Sequence, residues 1–230
     1  MNEPSNRRPL KSRTAPWARR LAALLARGRV RPDVISAGSI AFALLGGVAL
    51  MGSGTSEGLE RLALLAMAAA CIQLRLLCNL LDGMVAVEHG RSSPYGPIWN
   101  ELPDRAADVL FLTGAGYGAQ MAGVAHASLF GWIAAVLSVG TAYVRELGRG
   151  LGLPADFRGP MAKPHRMAAL TIACAVSAVE PLWGWCGQAF AIALAIIALG
   201  AAITVLRRTV TLAGRLRDGA SKERATPSRG

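Results

Sequence analysis

Several stretches of roughly twenty residues in this chain are almost wholly apolar, and nothing else limits its folding as strongly. Hydrocarbon offers no water to bond a backbone, so each such stretch must satisfy its own N–H and C=O groups, which makes it a helix. Six spans are expected, at 34–52, 61–86, 101–122, 127–148, 165–183 and 187–206. The chain has 230 residues, of which 53% are hydrophobic and only 17% charged. That composition suits one all-α integral membrane domain over residues 17–208 and is unlike an ordinary soluble fold. Residues 1–16 read as a basic, disordered arm and 209–230 as a polar tail expected to fray or lie on the surface. The arm is too Arg-rich to read as a cleavable signal. From Trp17 to Arg29, Trp17, Leu21, Leu24 and Leu25 share one face and Arg19, Arg20 and Arg27 the other, which predicts an amphipathic helix in the membrane interface ahead of the first span.

The formal net charge is +11. Its basic residues gather in the N-terminal arm, around 145–166 and in the tail, whereas the alternate loops hold Glu57 and Glu60, no formal charge, and Glu180. This is a topology pattern and not a nucleic-acid surface; it predicts a multi-pass protein of the cell inner membrane with both termini and the polar face cytoplasmic. Cys71, Cys78, Cys174 and Cys186 have no metal-ligand spacing and read as buried structural thiols. Trp17, Trp183 and Trp185 read as interfacial anchors, and Gly46, Gly47, Gly114, Gly116 and Gly118 as sites of close helix packing.

Residues 75–108 break the apolar pattern. At about 100° per residue, Arg75, Asn79, Asp82 and Ala86 fall in one narrow arc of a helix. Asn100, Asp104 and Asp108 form a stripe on the next, with Glu101 at its edge. Polar residues at the ends of membrane helices default to function, and two facing oxygen-rich stripes suit a hard cation.

From Asp82 the chain reads Asp-Gly, Ala86, Gly96, Asn100 and Asp104 in a fixed spacing. This resembles the signature of the CDP-alcohol phosphotransferases, Asp-x2-Asp-Gly-x2-Ala-Arg-x8-Gly-x3-Asp-x3-Asp. Asp82, Gly83, Ala86, Gly96 and Asp104 match; Asn79 and Asn100 replace two acids and Val87 the Arg. Two further segments are similar to the family: Pro32-Asp33-Val34-Ile35-Ser36 before the first span, and Arg145-Glu146 followed by Gly159-x3-Lys163-x-His165.

The resemblance implies a membrane enzyme of phospholipid synthesis that moves a phosphatidyl or phospho-alcohol group from a CDP-linked donor, such as CDP-diacylglycerol, to an alcohol with release of CMP. It implies magnesium or manganese on Asn79, Asp82, Asn100 and Asp104, with Asp104 also as general base, and a homodimer among membrane lipids. Asp108, with Glu101 and Glu88, offers to restore the lost charge; a second register pairs Asp104 with Asp108. Gly83, Ala86 and Gly96 fall to the nucleotide, with Arg75 and Arg91 as substitutes for the missing Arg. Arg75 reads equally as an ion-pair partner of Asp82 or Asp104. Arg145, Lys163 and Arg166 read as a grip on an acceptor phosphate or headgroup, or as ordinary positive-inside residues. Two rival functions stay open: a non-catalytic CDP-lipid or headgroup binder, suggested by the two amides, and a small transporter.

Overall fold

A computed structural model of the chain describes residues 15–88 and 95–225, apart from the side chains of 87, 88, 97, 100 and 219–225. Among the described residues seven α-helices follow in order: α1 Pro16–Arg27, α2 Pro32–Gly52, α3 Gly58–Glu88, α4 Gly96–Met121, α5 Ala127–Gly150, α6 Lys163–Val179 and α7 Gln188–Ala225. A 3-10 turn, Glu180–Trp183, extends α6. Proline stands in the first turn of α1, α2, α4 and α6, where its missing N–H has no intrahelical partner to lose. Glycines at positive φ, among them Gly123, Gly184 and Gly187, turn the chain between helices.

Among the described residues five segments are long and apolar enough to cross a membrane: Pro32–Gly52, Gly58–Ala86, Ala127–Gly150, Lys163–Trp183 and Gln188–Asp218. The expected third span falls outside this set because Glu101, Asp104, Arg105 and Asp108 crowd the first half of α4. α7 continues as helix to Ala225, its polar last turns carrying on the hydrogen-bonded ladder begun in the apolar part.

α4 lies between α2 and α5, and small residues bring the backbones together. A Cβ on Gly114 would strike the carbonyl of Gly47, and one on Gly131 would come within 2.8 Å of the Leu112 carbonyl. These glycines pack helices, as expected of them. α5 then packs on α7, and α6 joins α3 to α7. The main core, with Leu50, Ile72, Phe111, Leu170, Phe190 and Leu194, runs through this bundle. A second cluster seats α1 on the C-terminal part of α3 through Ala18, Ala22, Leu80, Leu81, Met84 and Val85. The helix at 16–27 thus buries its small residues against protein while Trp17 and Leu24 stay exposed.

At one end of the bundle Arg61, Ser177 and Glu180 form a buried network. Arg61 Nη2 lies 2.7 Å from Glu180 Oε1, and Glu180 accepts the backbone N–H groups of Gly187 (2.6 Å) and Ala189 (3.0 Å). Glu180 is fully buried and not the exposed loop charge its position suggests, because it caps the start of α7. Cys186, in the same loop, is exposed, unlike buried Cys71 and Cys174, since it lies beyond the apolar spans.

Candidate active site

The other end gathers the C-terminal part of α3, the first turns of α4, the end of α5, the start of α6 and the middle of α7. A cleft of about 520 Å³ opens among them, lined by Asn79, Asp104, Arg105, Arg145, Lys163, Arg166 and Arg208, with Trp17 and Phe157 among its apolar walls. The charged residues of α4 therefore have a place to point. Pro103 lies within the helix, and one turn on from it the chain presents Asp108 and Ala107 to the interior.

Asp104 is the hub. Its Oδ1 accepts from the Asn79 amide and lies 3.2 Å from Arg75 Nη2; its Oδ2 is paired with Lys163 and lies 3.5 Å from Arg105 Nη2. Arg75 is fully buried and also lies 3.7 Å from Asp108 Oδ1. Asp108, equally buried, binds Arg166 Nη2 at 2.6 Å, and Arg166 Nη1 donates to the Met161 carbonyl at 3.0 Å. A chain of alternating charges thus runs from α3 through α4 to α6. Of the two readings of Arg75, the ion pair is present, with Asp104 and Asp108 as partners and not Asp82.

Asp82 stands apart from this chain. It is 5% exposed, and its Oδ2 accepts from the Ser36 hydroxyl at 2.7 Å. Its Oδ1 makes no hydrogen bond of ordinary geometry, although the Gly83 N–H lies close to the same carboxylate. Asp82 is near enough to Asp104 and Lys163 to feel both charges. A buried carboxylate oxygen lacking a donor is a fitting ligand for a hard cation such as magnesium or manganese. Among the described residues, however, no three His, Cys, Asp or Glu side chains converge as a ready-made ligand set.

The basic side of the cleft is braced. Arg145 pairs with Glu101 at 2.6 Å and Glu146 at 2.8 Å, and lies 5.5 Å over the ring of Phe157. Arg208 donates to the carbonyls of Thr141 (2.5 Å) and Arg158 (2.9 Å), tying α7 to α5 and to the loop at 151–162. The Met161 N–H donates to Thr204 Oγ1 at 3.1 Å, a second tie between that loop and α7. In the loop, Asp156 takes two bonds from the Arg158 guanidinium, at 3.0 and 2.9 Å, and one from its N–H. The first of these is the main reason its carboxyl falls to about 2, from an ordinary 3.8.

Of the expected site residues, Asn79, Asp104, Asp108, Arg75, Arg145, Lys163 and Arg166 come together. Asp82 is their buried neighbour. Gly83 and Ala86 follow it on α3, half-buried, and Gly96 begins α4 beside open space. Arg91 and the side chains of Asn100 and Glu88 lie outside the described residues. Ser36, Arg105 and Arg208 were missed. The Ser of the Pro32–Ser36 segment was in view as part of a helix start, but its bond to Asp82 spans 46 residues. Arg208 falls two residues past the last expected span, at the end of the expected membrane domain, where the sequence alone points to no partner.

Searched against protein-family models, the chain matches none. Among curated proteins it is 30% identical over 149 residues to phosphatidylinositol phosphate synthase of Cutibacterium acnes, covering 61% of this chain and 70% of that one. To archaetidylinositol phosphate synthase of Aeropyrum pernix it is 35% identical over 148 residues, covering 64% and 69%. Among solved structures it resembles Mycobacterium tuberculosis phosphatidylinositol phosphate synthase in complex with manganese and citrate, at TM-score 0.71 and 22% identity over 85% of this chain and 88% of that one. The same enzyme with CDP-DAG bound gives 0.70 at 22% identity, over 86% and 94%. The likeness to these structures is one of fold. The two curated relatives, each matched over more than two thirds of its length, carry the conclusion: this chain belongs to the CDP-alcohol phosphotransferase family and is a membrane enzyme that transfers a substituted phosphate group from a CDP-linked donor to an alcohol.

Proposed function

We propose that this enzyme transfers the phosphatidyl group of CDP-diacylglycerol to a hydroxyl of a phosphorylated polyol, of which inositol phosphate is the nearest example, and releases CMP. The observation that carries this reading is the charge of the cleft. Arg105, Arg145, Lys163, Arg166 and Arg208 line it, opposed on its walls, among the described residues, by Asp104 alone. A neutral alcohol needs no such excess, whereas a phosphate ester is held by charge-assisted bonds from several cations. The relatives' names, phosphatidylinositol phosphate synthase and archaetidylinositol phosphate synthase, agree with such an acceptor.

In this reading the acceptor phosphate rests on Arg145, Lys163, Arg166 and Arg208, and its hydroxyl points toward Asp104. Asp104 takes the hydroxyl proton as the oxygen attacks the β-phosphorus; the new P–O bond forms as the bond to CMP breaks. Asn79, Asp82 and Asn100 are the oxygen donors on the nucleotide side, with Gly83, Ala86 and Gly96 leaving backbone room for the donor. Asp108 holds Arg75 and Arg166 in position. A bound magnesium or manganese ion would neutralise the diphosphate and polarise the phosphorus under attack.

We further assign α4 as the sixth span. At 26 residues it is long enough to cross, and its charges are paired with Arg75, Arg145, Lys163 and Arg166. α1 is then the interfacial helix, the cleft faces the cytoplasm with both termini, and the membrane is the inner one; the positive-inside pattern supports this orientation. A homodimer rests on the family resemblance.

The test is CMP release by purified protein in detergent with CDP-diacylglycerol and Mg²⁺ or Mn²⁺, comparing inositol phosphate with inositol. Release is expected with the phosphorylated acceptor and not with inositol, and Asp82→Ala is expected to abolish it while leaving the protein folded. Turnover retained in Asp82→Ala would remove Asp82 from the site, and equal use of inositol would remove the phosphate grip.

A further inference from the structure

Arg145 and Arg105 share a single carboxylate oxygen. Glu101 Oε2 lies 2.6 Å from Arg145 Nη2 and 3.3 Å from Arg105 Nη2. Both arginines line the cleft, whereas Glu101 does not. Neither guanidinium depends on that carboxylate for its place. Arg145 is held by its other edge, where Nε donates to Glu146 Oε1 at 2.8 Å, and by the ring of Phe157. Arg105 Nε donates to the Glu101 backbone carbonyl at 3.3 Å, and its Nη2 lies 3.5 Å from Asp104 Oδ2. Without the Glu101 carboxylate each arginine keeps a support. What the carboxylate does is occupy the Nη2 donors that an incoming anion would use.

Its hold is also the most easily replaced on this face. Asp108 is fully buried and Asp104 nearly so, and displacing either would strand buried cations. Glu146 gives separate oxygens to Arg145 and Arg149, each at 2.8 Å. The Glu101 side chain is 35% exposed and rests both contacts on one oxygen, and exposed pairs of this kind are weak. A phosphate monoester dianion brings more charge and more oxygens, enough to reach both guanidiniums together.

We propose that Glu101 is a selectivity residue of the acceptor site: its carboxylate holds the place of the acceptor phosphate on Arg145 and Arg105, and the acceptor binds by displacing it. Every anion meets the same cost of displacement. Inorganic phosphate has no other contacts to offset it and binds poorly, whereas a phosphorylated polyol adds those of its hydroxyls. Until the acceptor arrives, the two arginines stay neutralised at the open cleft. The inference rests on the phosphorylated acceptor proposed above.

The experiment titrates inositol phosphate and, separately, inorganic phosphate into the purified 230-residue chain in detergent at fixed ionic strength, reading binding by calorimetry. The KM for inositol phosphate is measured in parallel by CMP release. The variants are Glu101→Gln, Glu101→Asp and Glu146→Gln, each checked for folding by elution volume and melting temperature. Glu101→Gln is expected to bind both ligands about threefold tighter or more, the gain from losing two weak exposed pairs, with KM falling in step. Glu101→Asp keeps the charge but shortens the reach, so a smaller gain in the same direction is expected. Glu146→Gln removes the same charge from the edge that positions Arg145 and should give no gain. Binding unchanged or weakened in Glu101→Gln would overturn the inference, and so would equal gains in Glu101→Gln and Glu146→Gln, which would make overall charge the cause. Neither binding nor turnover of inositol phosphate in any of the proteins would overturn the reading of the acceptor as well.

Discussion

Asn79 and Asp82 sit one turn apart on α3, yet they have different surroundings. Asn79 reaches across to Asp104, while Asp82 turns to Ser36 on α2. The motif by itself singles out Asp82, because Asp-Gly at that distance from Gly96 and Asp104 is specific. What engages each oxygen was not legible there, since the partners come from other helices. The same holds for Arg75, which periodicity places on the polar face without choosing its partner. Asp156 shows how local pairing converts to a pH response. Its folded-state carboxyl lies near 2 and its ordinary value is 3.8, so its contribution is present above about pH 4 and is lost as pH falls toward 2. Hydrogen exchange of the Arg158 amide, which donates to Asp156 Oδ1 at 2.9 Å, is expected to show steady opening free energy down to about pH 4 and a decline below it. In Asp156→Asn that decline should vanish; its persistence would assign the loop's acid sensitivity elsewhere.

At the level of elements, the helices followed from apolar length, and their starts from proline, but pairing followed from size and charge. α4 illustrates both. Its C-terminal half carries Gly114, Gly116 and Gly118, which let α2 and α5 approach to backbone contact; its N-terminal half carries the charges of the cleft. The joint of α6 and α7 depends on Glu180 in a comparable way, by satisfying two backbone N–H groups and the Arg61 guanidinium together. Glu180→Ala strands a buried cation, a loss of about 3–5 kcal/mol by the usual cost of breaking a buried pair. Thermal unfolding in detergent should show a markedly lower midpoint, with the acceptor KM of the remaining folded enzyme little changed. An unshifted midpoint would mean that the network is not holding the bundle together. Sequence pointed to Glu180 only as a loop charge, because capping is a property of the chain that returns to it.

On the scale of the molecule the bundle has two unlike ends: one built on Arg61 and Glu180 with exposed Cys186 in its loop, the other holding the cleft. If the cleft is cytoplasmic, as proposed, Cys186 would lie on the far side of the membrane. A membrane-impermeant maleimide should label it in intact spheroplasts and not in inverted vesicles, with Cys186→Ser as the blank; the opposite result would invert the assigned topology. An all-helical membrane bundle, its polar face and the place of Asp82 and Asp104 on that face were determined by the sequence itself, because apolar length, helical period and motif spacing are properties of neighbours along the chain. The tertiary structure alone decided that Asp104 is claimed by Arg75 and Lys163, that Ser36 serves Asp82, that Arg208 joins the cleft and that Glu180 is buried. Each of these depends on which helices stand side by side, and a carboxylate in a low-dielectric interior takes its properties from whichever charge the fold brings within a few ångströms.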